Sequence, residues 1–236
     1  MFETTCRDGI AQVRHEGASW LSTAWDGGYC ESDAVYNVSV PTGFARTDLD
    51  AYREGRLADA GFPVGPTLLT GVEMCHARVA ENGPVTVLAT AGLSNPAVLP
   101  VDGDDKSAGG IDERGSDDTE PWRPGTVNLV VGVDRALSDG ALATLLGTVV
   151  EAKAATLLAV ADVPGTTSDA VLVGADPSAA PVEFAGSATE VGAAARACVR
   201  DAVLASLDAR YDDGPPAPAD AEYGVVTDRQ SDVRPP

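Results

Sequence analysis

Only two lysines occur in the chain, Lys106 and Lys153, and the second is the more informative. In the segment SDGALATLLGTVVEAKAATLLAV, steps of about 100° per residue put Leu142, Leu146 and Val149 on one stripe, and Lys153 falls on it. An ammonium on an apolar face must find a carboxylate or give up its proton, and both situations are typical of functional sites. The plainer alternative is a stem packed along a sheet, with its head snorkelling past the helix end. Glu151 lies nearly opposite on the same helix. Downstream, Gly165-Thr-Thr-Ser-Asp169 reads as a turn that gathers hydroxyls, including Thr167, backbone N–H groups and a carboxylate at one lip of a sheet. Asp169 is then a candidate general base or the partner of Lys153; turn chemistry alone is the simpler account. Upstream, in Gly125-Thr-Val-Asn128, Thr126 and Asn128 share a strand face. An amide so placed can donate to a developing oxyanion or satisfy a buried backbone group, and Asn37 has the same status. The turns Trp25-Asp-Gly-Gly28 and Gly92-Leu-Ser-Asn-Pro96 follow strand-like runs. They offer Trp25, Gly27, Gly28, Ser94 and Asn95 as a binding rim, although turn geometry explains them as economically.

The elements that must position these residues follow from periodicity. Asp33–Val40 alternates, with Ala34, Tyr36, Val38 and Val40 on one face. Further strands are expected over Thr67–Ala80, Val85–Ala91, Gly125–Val133 and Asp169–Ala175. Helices are expected over Asp48–Asp59, from a Ser138 or Asp139 cap to about Val160, and from the capping-box spacing Ser187-Ala-Thr-Glu190 to about Leu207. Strands dominate the first half and helices the second. The expected fold is α/β (or α+β), a single layered domain with helices packed on a mixed β-sheet. That domain spans 1–210. It is interrupted at about 98–124 by an acidic, Gly- and Ser-rich insertion of disordered composition, and followed at 211–236 by a disordered, acidic, Pro-rich tail.

Composition narrows the function classes. With 36 Asp and Glu against 16 Lys and Arg, the net charge is −20, and no basic stripe is present. Nucleic acids and anionic membrane surfaces are therefore poor partners. Acidic excess with lysine nearly absent fits a halophilic cytoplasm, because at about 1 M salt the Debye length is about 3 Å and self-repulsion is screened. No secretory signal opens the chain and no uninterrupted apolar run is long enough to span a bilayer, so a cytoplasmic protein is expected. The four cysteines are scattered. With no CxxC pair and only His15 and His76 available, a closed zinc site is not expected, and Cys75 and His76, adjacent in an expected strand, would point to opposite faces, which argues against a Cys-His dyad. Walker A, HExxH, GxSxG and GxGxxG motifs are absent.

The order of the motifs resembles the adenosylcobinamide amidohydrolase family of corrinoid salvage. The matching stretches are Leu21-Ser-Thr-Ala-Trp-Asp-Gly-Gly28, Asn37, Leu69-Thr-Gly-Val72, Ala91-Gly-Leu-Ser-Asn-Pro-Ala97, Gly125-Thr-Val-Asn128, Glu151-Ala-Lys153, Gly165-Thr-Thr-Ser-Asp169 and Phe184–Gly192. The resemblance implies hydrolysis of the aminopropanol amide of adenosylcobinamide, giving adenosylcobyric acid and 1-amino-2-propanol. It also implies a corrinoid substrate that brings its own cobalt, with no further cofactor and no protein-held metal. Residue chemistry then suggests Asp169 or Glu151 for water activation, Asn128 for the oxyanion, and Lys153 for electrostatic stabilisation or amine protonation. Thr126 or Thr167 is the alternative, covalent nucleophile. Trp20, Trp25, Tyr29 and Tyr36 could form an apolar platform for the corrin. A non-catalytic corrinoid-binding protein, or an amidohydrolase acting on another amide, would use the same motifs.

Overall fold

The computed structural model describes residues 1–100, 125–221 and 223–235, so most of the expected acidic insertion lies outside the described residues. Strands β1 (Glu3–Arg7) and β2 (Ile10–Arg14) form a hairpin around Asp8-Gly9, where both residues have positive φ (53° and 73°). Asp-Gly suits such a turn because its twist matches that of the strands. Next come β3 (Ser19–Ser22), β4 (Gly28–Glu31), β5 (Ala34–Ser39), α1 (Leu49–Asp59), β6 (Thr67–Thr70), β7 (Arg78–Asn82), β8 (Val85–Ala91) and the short β9 (Ala97–Val98). The second half contains β10 (Val127–Val133), β11 (Ala136–Leu137), α2 (Asp139–Ala161), β12 (Ala170–Ala175), β13 (Pro181–Val182), α3 (Glu190–Arg210) and β14 (Val225–Val226).

These strands make two main sheets. One has the order β1-β2-β5-β6; the other is six-stranded, β4-β3-β12-β10-β8-β7, and mixed, since β10 runs parallel to β12 and antiparallel to β8. Alternation along β10 sends its side chains to two different layers. Val127, Leu129, Val131 and Val133 meet Leu142, Leu145 and Val149 of α2 and Val199 and Val203 of α3. On the other face, Val130 joins Leu88 and Leu172 against Val13, Val35 and Leu68 of the four-stranded sheet. The outer face of that sheet, with Ile10, Tyr36 and Val38, is covered by Leu57 of α1. The result is an α/β domain of four layers: a helix pair, two sheets face to face, and a single helix.

Several expectations are corrected here. Thr67–Ala80 is not one strand: β6 belongs to the four-stranded sheet and β7 to the six-stranded one, and the 3-10 turn Met74–His76 carries the chain between them. The cap of α3 is Thr189, whose hydroxyl accepts from Gly192 N at 3.0 Å, rather than Ser187; Ser138 caps α2. The tail is not wholly unstructured, because β14 pairs in parallel with β9. Helix α2 has the length and apolarity of a membrane span, yet its buried residues face the six-stranded sheet and α3. Among them is Lys153, as its place on the apolar stripe suggested.

Candidate active site

Parallel pairing of β10 and β12 sets Asn128 beside Ala170, and thereby brings the residues leading into the two strands together. They border a cavity of about 570 Å³, which is within the usual range for ligand sites. Trp25, Phe44 and Leu68 contribute apolar wall, while Thr126, Ser168 and Asp169 form a polar patch. Arg46 stands on the lining as well, and its Nε donates to Asp48 Oδ1 at 2.8 Å. That hydrogen bond is the main reason the Asp48 carboxyl is held below its usual range.

Thr126 Oγ1 and Ser168 Oγ are 3.0 Å apart, and Ser168 Oγ donates to the Gly125 carbonyl at 3.2 Å. A serine has one hydroxyl proton. With that proton committed to Gly125, Ser168 Oγ becomes the acceptor for the Thr126 hydroxyl. The sequence reading named Thr126 and Thr167 but passed over Ser168. Ser168, Asp169 and Ala170 all line the cavity whereas Thr167 does not, and because Ser168 sits in the turn before β12, strand alternation offered no signal for it. Thr167 is exposed, and its Oγ1 accepts from Asn95 Nδ2 at 2.8 Å.

Behind this patch, Lys153 and Asp169 form an ion pair, their side chains 8% and 11% exposed. The carboxylate accepts three more hydrogen bonds: Val127 N on Oδ1 (2.8 Å), the Thr166 hydroxyl on Oδ1, and Thr166 N on Oδ2 (3.1 Å). Its acceptor positions are filled, so Asp169 acts as an anchor for the β10 and β12 entrances rather than as a free general base. A Cβ at position 165 would lie 2.9 Å from Lys153 Nζ and closer still to Asp169 Oδ2, which explains the glycine there.

Asn128 does not face the cavity as an oxyanion donor. Its Nδ2 donates to Asn37 Oδ1 (3.0 Å) and to the Leu69 carbonyl (2.9 Å), and its Oδ1 accepts from Ala170 N (3.1 Å). Asn37 Nδ2 in turn donates to Thr90 Oγ1 at 2.9 Å. Both asparagines are fully buried between the sheets; Asn128 satisfies backbone groups, whereas Asn37 pairs with the side chains of Thr90 and Asn128. Glu151 is also removed from the site: it is exposed on the far side of α2, with Arg196 Nη1 4.0 Å away.

The expected rim divides. Trp25 lines the cavity, but Gly27 and Gly28 border a separate one of about 280 Å³. Asn95 fastens loops: its carbonyl accepts from Thr167 N at 3.1 Å, and its Oδ1 accepts from Gly125 N. Ser94 packs beside Gly125 and does not reach the cavity lining. Of the proposed aromatic platform, Trp20 and Tyr36 are fully buried core residues, and Tyr29 hydrogen-bonds the Asp139 carbonyl at 2.9 Å.

This arrangement sets a hydroxyl pair on the wall of a largely apolar cavity, backed by a buried ion pair, in a protein of the α/β class. Comparison with known proteins narrows the class. The chain belongs to the adenosylcobinamide amidohydrolase family, whose model matches residues 2–215. It is 51% identical over 236 residues to the adenosylcobinamide amidohydrolase of Halobacterium salinarum, covering 99% of each chain. It is 26% identical over 201 residues to the protein of that name from Methanosarcina mazei, covering 80% of this chain and 90% of that one. A crystal structure of a protein from Pyrococcus horikoshii OT3 superposes with a TM-score of 0.41 at 11% identity, covering 87% of this chain and 78% of that one.

Proposed function

We propose that the protein hydrolyses the amide joining the aminopropanol arm to the corrin of adenosylcobinamide, giving adenosylcobyric acid and 1-amino-2-propanol in cobinamide salvage. The observation that carries this reading is the Thr126 hydroxyl, directed at Ser168 on the wall of the cavity, in a chain of this family. Thr126 Oγ1 attacks the amide carbon and its proton passes to Ser168 Oγ. In the same concerted relay Ser168 turns its own proton from the Gly125 carbonyl to the departing nitrogen, so the hydroxyl never holds two protons, the amine leaves neutral and an ester remains on Thr126. Water then cleaves the ester with the same two hydroxyls working in reverse. Lys153 is not on the cavity lining, so protonation of the amine falls to Ser168 rather than to the ammonium. Lys153 neutralises Asp169, and together they fix Thr166 and Val127 on either side of the hydroxyl pair. The aminopropanol arm and the adjoining ring edge enter the cavity, with Trp25 and Arg46 beside them. The acidic, lysine-poor composition supports action in a salt-rich cytoplasm.

Incubation with adenosylcobinamide in molar salt, with free 1-amino-2-propanol quantified, tests the proposal. Release by the wild type that disappears in Thr126→Ala supports it. A wild type that binds the corrinoid without releasing amine overturns it in favour of a binding protein. Competition by other amides shows whether the corrinoid is the preferred substrate.

A further inference from the structure

The 3-10 turn Met74–His76 undoes the geometry that a strand would impose on Cys75 and His76. Glu73, Cys75 and His76 each offer one ligand atom there, and the three atoms lie within 4.8 Å of one another. Cys75 Sγ is 3.7 Å from Glu73 Oε2. In a tetrahedral zinc site, with Zn–S about 2.3 Å and Zn–O about 2.1 Å, the S···O edge is about 3.6 Å. One edge of the site therefore already has the required length, and the Glu73 and Cys75 side chains that must adjust to close the rest are exposed. The imidazole is oriented as well. His76 Nδ1 donates to the Ala209 carbonyl at 2.8 Å, which leaves Nε2 with the coordinating lone pair; metal-bound histidines are commonly held in this way. The backbone beneath is fixed by His76 N donating to Glu73 O (3.0 Å) and by the Ser206 hydroxyl donating to His76 O (2.8 Å). Thiolate, imidazole and carboxylate together suit a borderline ion such as Zn²⁺ better than Mg²⁺ or Ca²⁺, which prefer oxygen donors.

We propose that Glu73, Cys75 and His76 form a three-ligand surface site for Zn²⁺, with water in the fourth position. The site stands outside the catalytic cavity and takes no part in the hydrolysis. Its effect is mechanical. Thr70 and Gly71 of the cavity lining lie just upstream of Glu73, and His76 is fastened to the last turn of α3 through Ala209. A bound ion thus stiffens the turn that joins the cavity wall to that helix.

Co²⁺ titration of chelator-treated protein tests this independently of activity. The wild type is expected to develop a thiolate-to-cobalt charge-transfer band that saturates at one ion per chain and is displaced by Zn²⁺. Cys75→Ser loses the band, and Glu73→Gln keeps it with affinity lowered roughly tenfold or more. Zn²⁺ raises the melting temperature of the wild type and leaves Cys75→Ser unmoved. Both substituted side chains are exposed, so melting without metal shows that each variant is folded. Absence of the band in the wild type, or an unchanged band in Cys75→Ser, overturns the proposal.

Discussion

Asp169→Asn probes the ion pair on which the site geometry rests. The native carboxylate receives Lys153, the Val127 and Thr166 amides and the Thr166 hydroxyl, in surroundings where both partners are nearly shielded from water. Asparagine presents one acceptor oxygen and one amide nitrogen to these four donors. Two of them lose their partner, and the ammonium loses its counter-charge. Removing one member of a buried pair costs about 3–5 kcal/mol, because the other charge stays behind unpaired. For a chain of this size each kcal/mol lowers Tm by about 2–4 °C, so the expected fall is about 6–20 °C. Lys153→Met should cost less, since Asp169 keeps its three other hydrogen bonds. The double variant should melt above the level that the two single losses predict, with a coupling of about 0.5–3 kcal/mol. Thermal unfolding followed by circular dichroism, at 1 M salt and at higher concentrations, supplies all the values. The deficit should not change with salt, because a pair out of water is screened far less than an exposed one. An Asp169→Asn protein melting within about 2 °C of the wild type, or strictly additive losses, would refute the reasoning.

Other outcomes follow from the same geometry. Ser168→Ala should slow amine release by about 10²–10⁴-fold, the usual range for loss of a proton-transfer group, while corrinoid binding measured by absorbance titration persists. Asn128→Ala should destabilise the fold, at about 1–3 kcal/mol for each buried partner left unsatisfied, with turnover per folded molecule preserved; a selective fall in kcat would restore Asn128 to the oxyanion role. Glu151→Gln should leave activity intact and stability within about 0.5 kcal/mol in a urea melt, as for most exposed substitutions. Burial, assisted by Asp201 and Glu81, pushes the Cys198 thiol from 9.0 up to about 11. At mildly alkaline pH, Cys198 should therefore resist alkylation under native conditions while the exposed Cys75 reacts, as peptide mass mapping would show. Between pH 9.0 and about 11 the unfolded thiol has ionised and the folded one has not, so this residue's contribution to stability should decline as pH rises.

How much could be read beforehand differs from residue to residue. Strands β5, β8, β10 and β12 declared themselves by alternation or continuous apolar runs, and α2 by its cap and stripe. β1 was silent because it is mostly exposed at a sheet edge and carries no apolar pattern. β5 was legible, but without β1 and β2 nothing showed that it belongs to a second sheet, so what faces Asn37 and Asn128 could not be read. Alternation correctly placed Asn128 and Thr126 off the helix-facing side, but it carries no information on what lies across the gap. At Asn128 that gap holds another sheet, and at Thr126 it holds the cavity. The partnership of Lys153 with Asp169 was legible because a charge on an apolar stripe leaves few ways to be satisfied. Glu151, the first residue of the matching stretch that ends at Lys153, stands on an exposed face and offered no such constraint. The break at Met74–His76 has no proline or glycine inside it and arises from the need to cross between sheets.

The paired asparagines between the sheets also restrict how the chain can misassemble. Two valine-rich strands such as β10 and β12 could slide past one another with little change in apolar contact, since most of their side chains are interchangeable in size. A slip of one residue would swing Asn128 into the hydrocarbon layer under α2 and α3 and leave the Leu69 carbonyl and Asn37 with no donor. The amide ladder thus acts as a register key, penalising near-native competitors during folding. The alignment of Thr126 with Ser168 is inherited from that fidelity.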